Sequence, residues 1–291
     1  MRSISVVAAV FASLVAGGFA LAQEAGAVDF TLEAARAKYA AAQWPQGARR
    51  AGFVLEDLAL PGLTGRDCEF RADDVARHYA DAKGVDRVLI EMTVGETAAD
   101  AHAVLLRHVA YVQSTKTLPT AAARGIRAGD VGYVGNGGKD GSKIAWLAFV
   151  VGNLEFRVVN LAPDLDGAPD PKPLVELLSQ RATAQSPLAE GVPVPKPEVK
   201  DFHAAQPTVA AGDSIVLDVA ATDPTGRAAQ FDFVVGGAQN GAGGQGYVEP
   251  DEQGRWRFFA TGAGPATLTV RVLGRNGTIA TKDFALTITK Q

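Results

Sequence analysis

Apolar positions in the first part of this chain include both helical and strand-like spacings. In the last part they alternate regularly with polar positions. Residues 97–113 repeat apolar side chains at helical spacing behind Thr97 and Asp100, which form a near capping box. The almost continuously apolar segment 144–151 and the alternating segment 154–159 predict a hairpin. The first part is therefore predicted to be an α+β domain, in which helices pack on an antiparallel sheet.

Weaker signals predict further elements in the first part. The expected elements are helices at 31–44 and 170–178 and strands at 52–60, 74–80 and 87–94. Gly84 lies in the polar segment between the last two strands, where a hairpin turn is expected. The glycine-rich segments 129–135 and 135–141 lack the context of a phosphate-binding loop, and we expect turns there.

The last part of the chain has a period of two and no helical pattern. Its alternating runs are 215–219, 231–235, 256–258, 268–272 and 284–288. Turn residues separate these runs, and short alternating strands at this spacing predict an all-β sandwich. The glycine-rich segment 236–246 is expected to be a flexible connection within it.

A proline-rich segment separates the two parts. It carries Pro187, Pro193, Pro195 and Pro197, whose spacing favours an extended, semi-rigid spacer. The predicted organisation is a leader at 1–22, the α+β domain at 28–185, the linker at 186–200 and the sandwich at 201–291.

The first 22 residues have the pattern of a secretory signal peptide. Arg2 precedes an apolar run that is short for a bilayer span, and Ala20-Leu21-Ala22 supplies small residues before Gln23. Cleavage is expected between Ala22 and Gln23, which predicts a soluble periplasmic or secreted protein. No second apolar run approaches 18 residues, so no membrane span is expected after cleavage.

Charge and cysteine content narrow the expected partners. The formal net charge is -4, and it becomes -5 if the leader with Arg2 is removed (28 - 1 = 27 basic against 32 acidic residues). No cluster of Lys and Arg stands out, which argues against nucleic acid or an anionic membrane as partner. Cys68 is the sole cysteine, and the adjacent Asp67 and Glu69 disfavour a thiolate, so an inert packed thiol is expected.

Candidate metal sites do not meet the spacing that their chemistry needs. An Asp-rich loop has Gly167 at the fourth and Glu176 at the thirteenth position, unlike an EF-hand, and Asp170 is expected to cap a helix instead. His102 and His108 stand about 240° apart around a helix. A calcium site at Asp223 is the less favoured alternative to a type I turn. We therefore predict no metal ligands and no cofactor.

Catalytic residues are not predicted either, and the binding residues stay unknown. Paired carboxylates for glycoside hydrolysis remain open, but the acids of the first part are expected on helix faces and strand exteriors. These acids are Glu33, Glu56, Asp57, Glu91 and Asp100. His108 is expected to be a partly buried helix residue, His78 to lie in a strand and His203 to lie next to the linker.

Aromatic residues and one sequon offer further alternatives. Trp256 could be a sugar platform, although its parity with Phe258 favours a core position, and Trp146 is expected in the core as well. Trp44 is expected to be partly exposed. The sequon that begins at Asn276 is better explained as a tight hairpin turn.

Several segments carry a resemblance to known domains. The segments are GDSIVLDVAATDPTG (212–226), FDF (231–233), GRWRF (254–258), GPATLTVRV (264–272) and FALTIT (284–289). Together they resemble the immunoglobulin-like modules of PKD and cadherin-like type, over roughly the last third of the chain. That resemblance implies a spacer, adhesive or docking role. GDVGYVG (129–135) and FVVGNLEFRVV (149–159) are similar to uncharacterised exported bacterial domains, which implies no activity.

The sequence thus favours a non-catalytic, exported binding or interaction protein of the bacterial envelope. Its immunoglobulin-like module would serve as a docking or presentation unit, with a protein or another envelope component as partner. The alternative is an exported hydrolase with its site in the α+β domain, and a purely structural envelope component is a third reading. Convergent carboxylates or a histidine beside a hydroxyl would favour the hydrolase. The sequence sets no oligomeric state.

Overall fold

A computed structural model describes residues 48–71, 74–112, 119–237 and 243–291. The chain divides into two compact units, residues 1–194 and 195–291. The leader, the predicted helix that begins at Thr31 and the indole of Trp44 lie outside the described residues. Within the described part the chain is rich in β-structure, with fourteen strands and two α-helices. No helix in that part is long and apolar enough to cross a membrane.

The first unit contains one six-stranded antiparallel sheet and both helices. Its elements are β1 (Thr64–Phe70), β2 (Val75–Ala80), β3 (Asp86–Val94), α1 (Ala98–Val112), β4 (Val131–Gly137), β5 (Lys143–Val151), β6 (Leu154–Asn160) and α2 (Pro171–Thr183). The strand order is β1-β2-β3-β6-β5-β4, and every neighbouring pair is antiparallel. Because β3 and β6 are central, residues far apart in sequence become direct neighbours there.

The two faces of this sheet bury different sets of side chains. One face carries the larger apolar core, where Ile90, Phe149 and Phe156 lie with residues of α2 such as Leu178. On the other face, α1 packs against β5, β6 and β3, and its apolar stripe shares a cluster with Tyr133 of β4. That α1 face also carries buried ionisable side chains, because alternate residues of a strand point to opposite faces.

The strongest sequence signals of the first unit are confirmed. The Thr97 backbone N–H donates to Asp100 Oδ2 at 2.9 Å, and the Asp100 N–H donates to Thr97 Oγ1 at 3.1 Å, so both hydrogen bonds of the capping box at the start of α1 form. The predicted β2–β3 and β5–β6 hairpins are present. Asp170 caps α2 by accepting the Lys172 N–H at 3.0 Å.

The predicted strand at 52–60 is wrong. This segment is irregular and contains a short 3-10 turn at Leu55–Asp57. Its carbonyl groups are satisfied by side chains of β2: the Arg77 guanidinium donates to three of them, and the Tyr79 hydroxyl donates to the Leu58 carbonyl at 3.1 Å. The alternating apolar residues therefore pack into the core without a strand ladder, which a period of two cannot reveal.

The prediction of turns throughout the glycine-rich segment 129–135 is also wrong. Val131–Gly137 forms β4, and only Gly129 has a left-handed backbone there, with φ of 54°. Gly135 has no room for a side chain, since a Cβ atom would lie 1.9 Å from the Trp146 indole nitrogen. The glycine thus admits an aromatic ring onto the sheet. β1, whose residues alternate poorly, was not predicted.

The second unit consists of two four-stranded sheets that share an apolar core. Its strands are β7 (Glu198–Ala204), β8 (Thr208–Ala210), β9 (Ser214–Thr222), β10 (Gln230–Gly237), β11 (Gln245–Pro250), β12 (Trp256–Gly262), β13 (Gly264–Leu273) and β14 (Ile279–Thr289). The sheet orders are β10-β13-β14-β8 and β11-β12-β9-β7. The pairs are antiparallel except β14 with β8, and the arrangement is compatible with a β-sandwich. All five predicted alternating runs lie in strands.

The segment predicted as a linker is divided between the two units. On the first unit, the Leu188 N–H donates to the Arg49 carbonyl at 2.7 Å, and Val194 is buried. On the second unit, the Pro195 carbonyl accepts from the Thr278 hydroxyl at 3.1 Å, and β7 begins at Glu198. The strand therefore starts inside the segment that was expected to be an extended spacer.

Candidate functional site

The α1 face of the first sheet brings together six ionisable side chains, which we call the charge cluster. Its members are Arg71, Asp74, Glu91, His108, Glu155 and Arg157. Register explains the gathering, since Glu91 on β3 stands directly opposite Arg157 on β6. Glu155 follows on the same face of β6, because residues two apart in a strand share a face.

Glu91 is the centre of the charge cluster. Only 1% of this residue is exposed. The Arg71 Nη1 donates to Glu91 Oε1 at 2.5 Å, and Arg157 forms an ion pair with the other carboxylate oxygen. Asp74 lies 3.9 Å from each of the two guanidinium groups. Two acids and two arginines therefore balance in charge, which is the condition for burying such groups.

Electrostatics favour the charged form of Arg71. Burial lowers the pKa of its guanidinium, but the nearby carboxylates of Glu91 and Asp74 outweigh that effect, so the pKa of Arg71 is raised above its ordinary value. Its side chain keeps 29% exposure, the largest among the four paired groups. Arg71 therefore connects the buried charges to the surface.

A carboxylate–imidazole pair forms the second part of the charge cluster. Glu155 is fully buried, and its Oε1 lies 3.1 Å from Nδ1 of the half-buried His108 on α1. The second oxygen, Oε2, is buried without a hydrogen-bond partner among the described residues. A carboxylate that contacts one ring nitrogen fixes the orientation of the imidazole and can select its tautomer. Such a histidine can accept or donate a proton through its other nitrogen.

His102 lies on the same helix as His108, and its burial lowers the pKa of its imidazole. It is 5% exposed, and desolvation by burial lowers its pKa to about 4. Both histidines lie in α1, where a separation of six residues places them about 240° apart around the helix, as predicted. Among the described residues, no group of three or more His, Cys, Asp or Glu side chains could hold a metal ion.

The burial of His102 predicts a loss of stability in mild acid. Its folded-state pKa is below the unfolded value, so the unfolded chain binds more protons between pH 6.5 and 4. The unfolding free energy should fall by roughly 2 to 3 kcal/mol as pH decreases through this window. Urea unfolding, followed by the NMR amide signals of β5 and β6, measures it. His102→Gln should remove this part of the pH dependence.

A matched control for this experiment is His203→Gln, because the His203 side chain is 48% exposed in β7. That substitution should leave the pH dependence of the first unit unchanged. Equal pH profiles for the wild type and His102→Gln would contradict the assignment to His102.

The expectation that the acids of the first part lie on exteriors is wrong for Glu91, and the sequence did not single out Glu155 or Arg157. Glu91 and Glu155 are buried within the sheet. A signal was available for Glu91, which interrupts the largely apolar strand VLIEMTV, whereas Glu155 occupies an ordinary polar position of the alternating run LEFRVV. A charged residue in a doubly covered strand needs a partner. Its identity could not be predicted without the β3–β6 pairing.

Three further residues that the sequence singled out, Asp223, Asp170 and Cys68, have the structural roles that were predicted for them. Asp223 accepts from the Thr225 N–H at 2.7 Å and from the Arg275 N–H at 2.7 Å, and the Gly226 N–H closes a turn on its carbonyl at 3.0 Å. This confirms the turn. Asp170 caps α2, which confirms the predicted helix cap in place of an EF-hand loop. Cys68 is buried in the core of the first unit, as predicted for a packed thiol.

The remaining aromatic and sequon predictions are largely confirmed. Trp256 packs against the core of the second unit, with its ring 4.9 Å from that of Phe233. Trp146 is half-buried against two smaller apolar clusters on the α1 face. Asn276 is 2% exposed and donates to the Pro195 carbonyl at 3.1 Å, which makes its amide a structural group.

A comparison with protein-family models finds none that matches this chain, and a comparison with curated proteins finds no significant match.

Proposed function

We propose that this is a non-catalytic binding or interaction protein, exported to the bacterial envelope, whose second unit is an immunoglobulin-like docking module. The first unit is classed in this proposal as an α+β domain, on the strength of one antiparallel sheet with a helix on each face. The signal-peptide pattern of residues 1–22 supports export.

The observation that carries the proposal is the strand order of the second unit. With letters A to G assigned in chain order and the short β8 left out, one sheet becomes A-B-E-D (β7-β9-β12-β11). The other becomes C-F-G (β10-β13-β14). This is the order of the constant-type immunoglobulin sandwich. The step from this architecture to a docking role is an analogy between folds.

The four ion-paired residues of the charge cluster support a non-catalytic role. Glu91, Arg71, Arg157 and Asp74 neutralise one another through ion pairs within the sheet. A general acid or base needs a proton that a substrate can reach, whereas Glu91 is buried beneath two guanidinium groups. These four residues therefore act best as a support that fixes the β1–β2 connection to β3 and β6.

Two assays test the proposal: capture of a partner from envelope extract, and turnover of chromogenic substrates. The mature chain, immobilised in its folded form, is expected to retain a specific component of the envelope extract, and heat-denatured protein is the control. Direct binding of the purified component should then saturate. In parallel, the soluble protein should not turn over chromogenic esters, glycosides or peptides. Capture that is equal for folded and denatured protein would contradict a binding role.

A second candidate function rests on the His108–Glu155 pair. An imidazole oriented by a buried carboxylate is an arrangement that can serve as a general base, which favours the alternative of an exported hydrolase. Thr93, a buried hydroxyl residue, stands opposite Glu155 on β3. This candidate has a direct test in the same turnover assay.

Under the binding proposal the wild type has no turnover, so His108→Gln should show none either. Under the hydrolase alternative, removal of a general base should lower kcat by about 100-fold or more. Folding of the variant is checked by its amide NMR spectrum. Turnover by the wild type that His108→Gln abolishes in a folded protein would replace the binding proposal with the hydrolase.

A further inference from the structure

The outer surface of the β11–β12 hairpin carries an aromatic pair, in which Tyr247 is exposed and Phe259 is half-buried. Inner positions of these strands are fixed by the core, in which Phe258 is fully buried and Val248 is partly buried. Tyr247 and Phe259 have the opposite parity and point outward. They stand directly opposite each other in the ladder. Their ring centroids are 5.1 Å apart and their planes differ by 14°, so the rings are stacked.

The stack leaves one face of an aromatic ring open. Phe259 lies against one face of the Tyr247 ring, and β11 is the edge strand of its sheet. No described strand therefore continues the sheet beyond Tyr247. Tyr247 is 47% exposed, and no other aromatic residue of the described part is among the exposed large apolar side chains.

Polar side chains that form fixed hydrogen bonds surround this stack. Arg257 stands opposite Glu249 in the next pair on the same face of the hairpin, two residues along each strand. The Arg257 Nε donates to Asp251 Oδ2 at 3.2 Å, and its Nη1 donates to the Ser214 hydroxyl at 3.1 Å. These contacts hold a planar guanidinium beside the aromatic rings, where it costs little rotamer entropy to bind a ligand.

Charge on this surface is nearly balanced. The hairpin carries the acids Glu249, Asp251 and Glu252 against Arg255 and Arg257, and Asp251 pairs with both arginines. A surface with so small a net charge gives little electrostatic advantage to a polyanion or a polycation. The electron-rich face of an aromatic ring attracts the weakly positive C–H groups of a ligand. Adjacent carboxylate and guanidinium groups bind pairs of hydroxyls.

We propose that this surface binds an uncharged glycan chain, with sugar rings stacked on Tyr247 and hydroxyl groups hydrogen-bonded by Glu249 and Arg257. The inference rests on the proposed docking role of the second unit and supplies a ligand class for it. It is independent of the charge cluster in the first unit.

The test is an NMR titration of the full mature chain with two neutral probes, cellohexaose and chitohexaose. At least one should shift the amide signals of β11 and β12 and saturate. Tyr247→Ala should weaken that binding by about tenfold, whereas Tyr247→Phe, which keeps the ring, should change it by less than about threefold. Val234→Ala is the matched control, because Val234 is an equally exposed apolar residue, at 45%, on a different sheet.

Three results would overturn the inference: no saturable shift in β11 and β12 with either hexasaccharide, shifts confined to other strands, or equal affinity of the wild type and Tyr247→Ala. The amide spectra of the variants show whether the sandwich is still folded. If an envelope protein is captured by the intact chain while both glycans fail, the glycan inference is wrong and the proposed docking role stands.

Discussion

Replacement of Glu91 by alanine is expected to destabilise the first unit by about 3 to 5 kcal/mol. Glu91 is 1% exposed and receives ion pairs from Arg71 and Arg157. The substitution leaves the buried Arg157 guanidinium, whose side chain is 11% exposed, without its nearest counter-charge. Urea unfolding followed by the amide signals of β3 and β6 measures the loss.

Glu69→Ala is the matched control for this prediction. Glu69 contacts the same Arg71 at 3.5 Å and lies in the same row of the sheet, through Ala76, but its side chain is 55% exposed. An exposed ion pair contributes at most about 1 kcal/mol, so the control should be nearly neutral. Similar losses for Glu69→Ala and Glu91→Ala would contradict the distinction between buried and exposed pairs.

A double substitution separates the charge from the packing. Glu91→Leu combined with Arg157→Met removes both partners of one ion pair and replaces them with apolar groups of comparable size. The double variant should be more stable than Glu91→Leu alone, because no isolated charge is left in that pair. If it is no more stable, the Glu91–Arg157 attraction is not what holds the two strands.

Replacement of Gly129 by alanine is expected to destabilise the first unit by about 3 kcal/mol. Gly129 has φ of 54°, and an added Cβ atom would lie 2.2 Å from the Val150 carbonyl oxygen. That oxygen also accepts the Asp130 N–H at 2.7 Å, so the backbone cannot move away without breaking the start of β4. The same urea experiment on β5 signals measures the effect.

Gly125→Ala isolates the steric part of this prediction. Gly125 has φ of 65°, similar to Gly129, but an added Cβ atom would meet nothing within 4 Å. Its substitution should cost only the left-handed backbone strain, about 1 kcal/mol. A loss for Gly129→Ala no larger than that for Gly125→Ala would show that the contact with Val150 is unimportant.

Elements with local causes could be predicted from the sequence. The start of α1 follows from Thr97 and Asp100, and the start of α2 follows from Asp170. These signals act within a few residues, so no knowledge of the fold is needed to interpret them. The alternating runs of the second unit were predictable for the same reason, since each pattern describes one strand with one buried face.

Elements whose conformation depends on contacts with residues distant in sequence were not predicted. The segment at 52–60 resembles a strand in its apolar pattern, yet its carbonyl groups bond to Arg77 and Tyr79 on another element. β4 contains glycines that suggest turns, but at Gly135 the absence of a side chain leaves the space that the ring of Trp146 occupies. In both cases the deciding contact joins residues that the local pattern cannot relate.

The sequence by itself determined the division into a mixed first part and an alternating second part, the starts of the two described helices and the pattern of a secretory leader. Only the tertiary structure decided which charges meet. Glu91 and Arg157 are 66 residues apart in number, and they become neighbours because β6 pairs with β3 on one side, besides pairing with its sequential neighbour β5 on the other. Likewise, the partner of Tyr247 in the aromatic stack follows from strand register. Hydrophobic periodicity reports which face of an element is buried, whereas strand pairing sets what that face contacts.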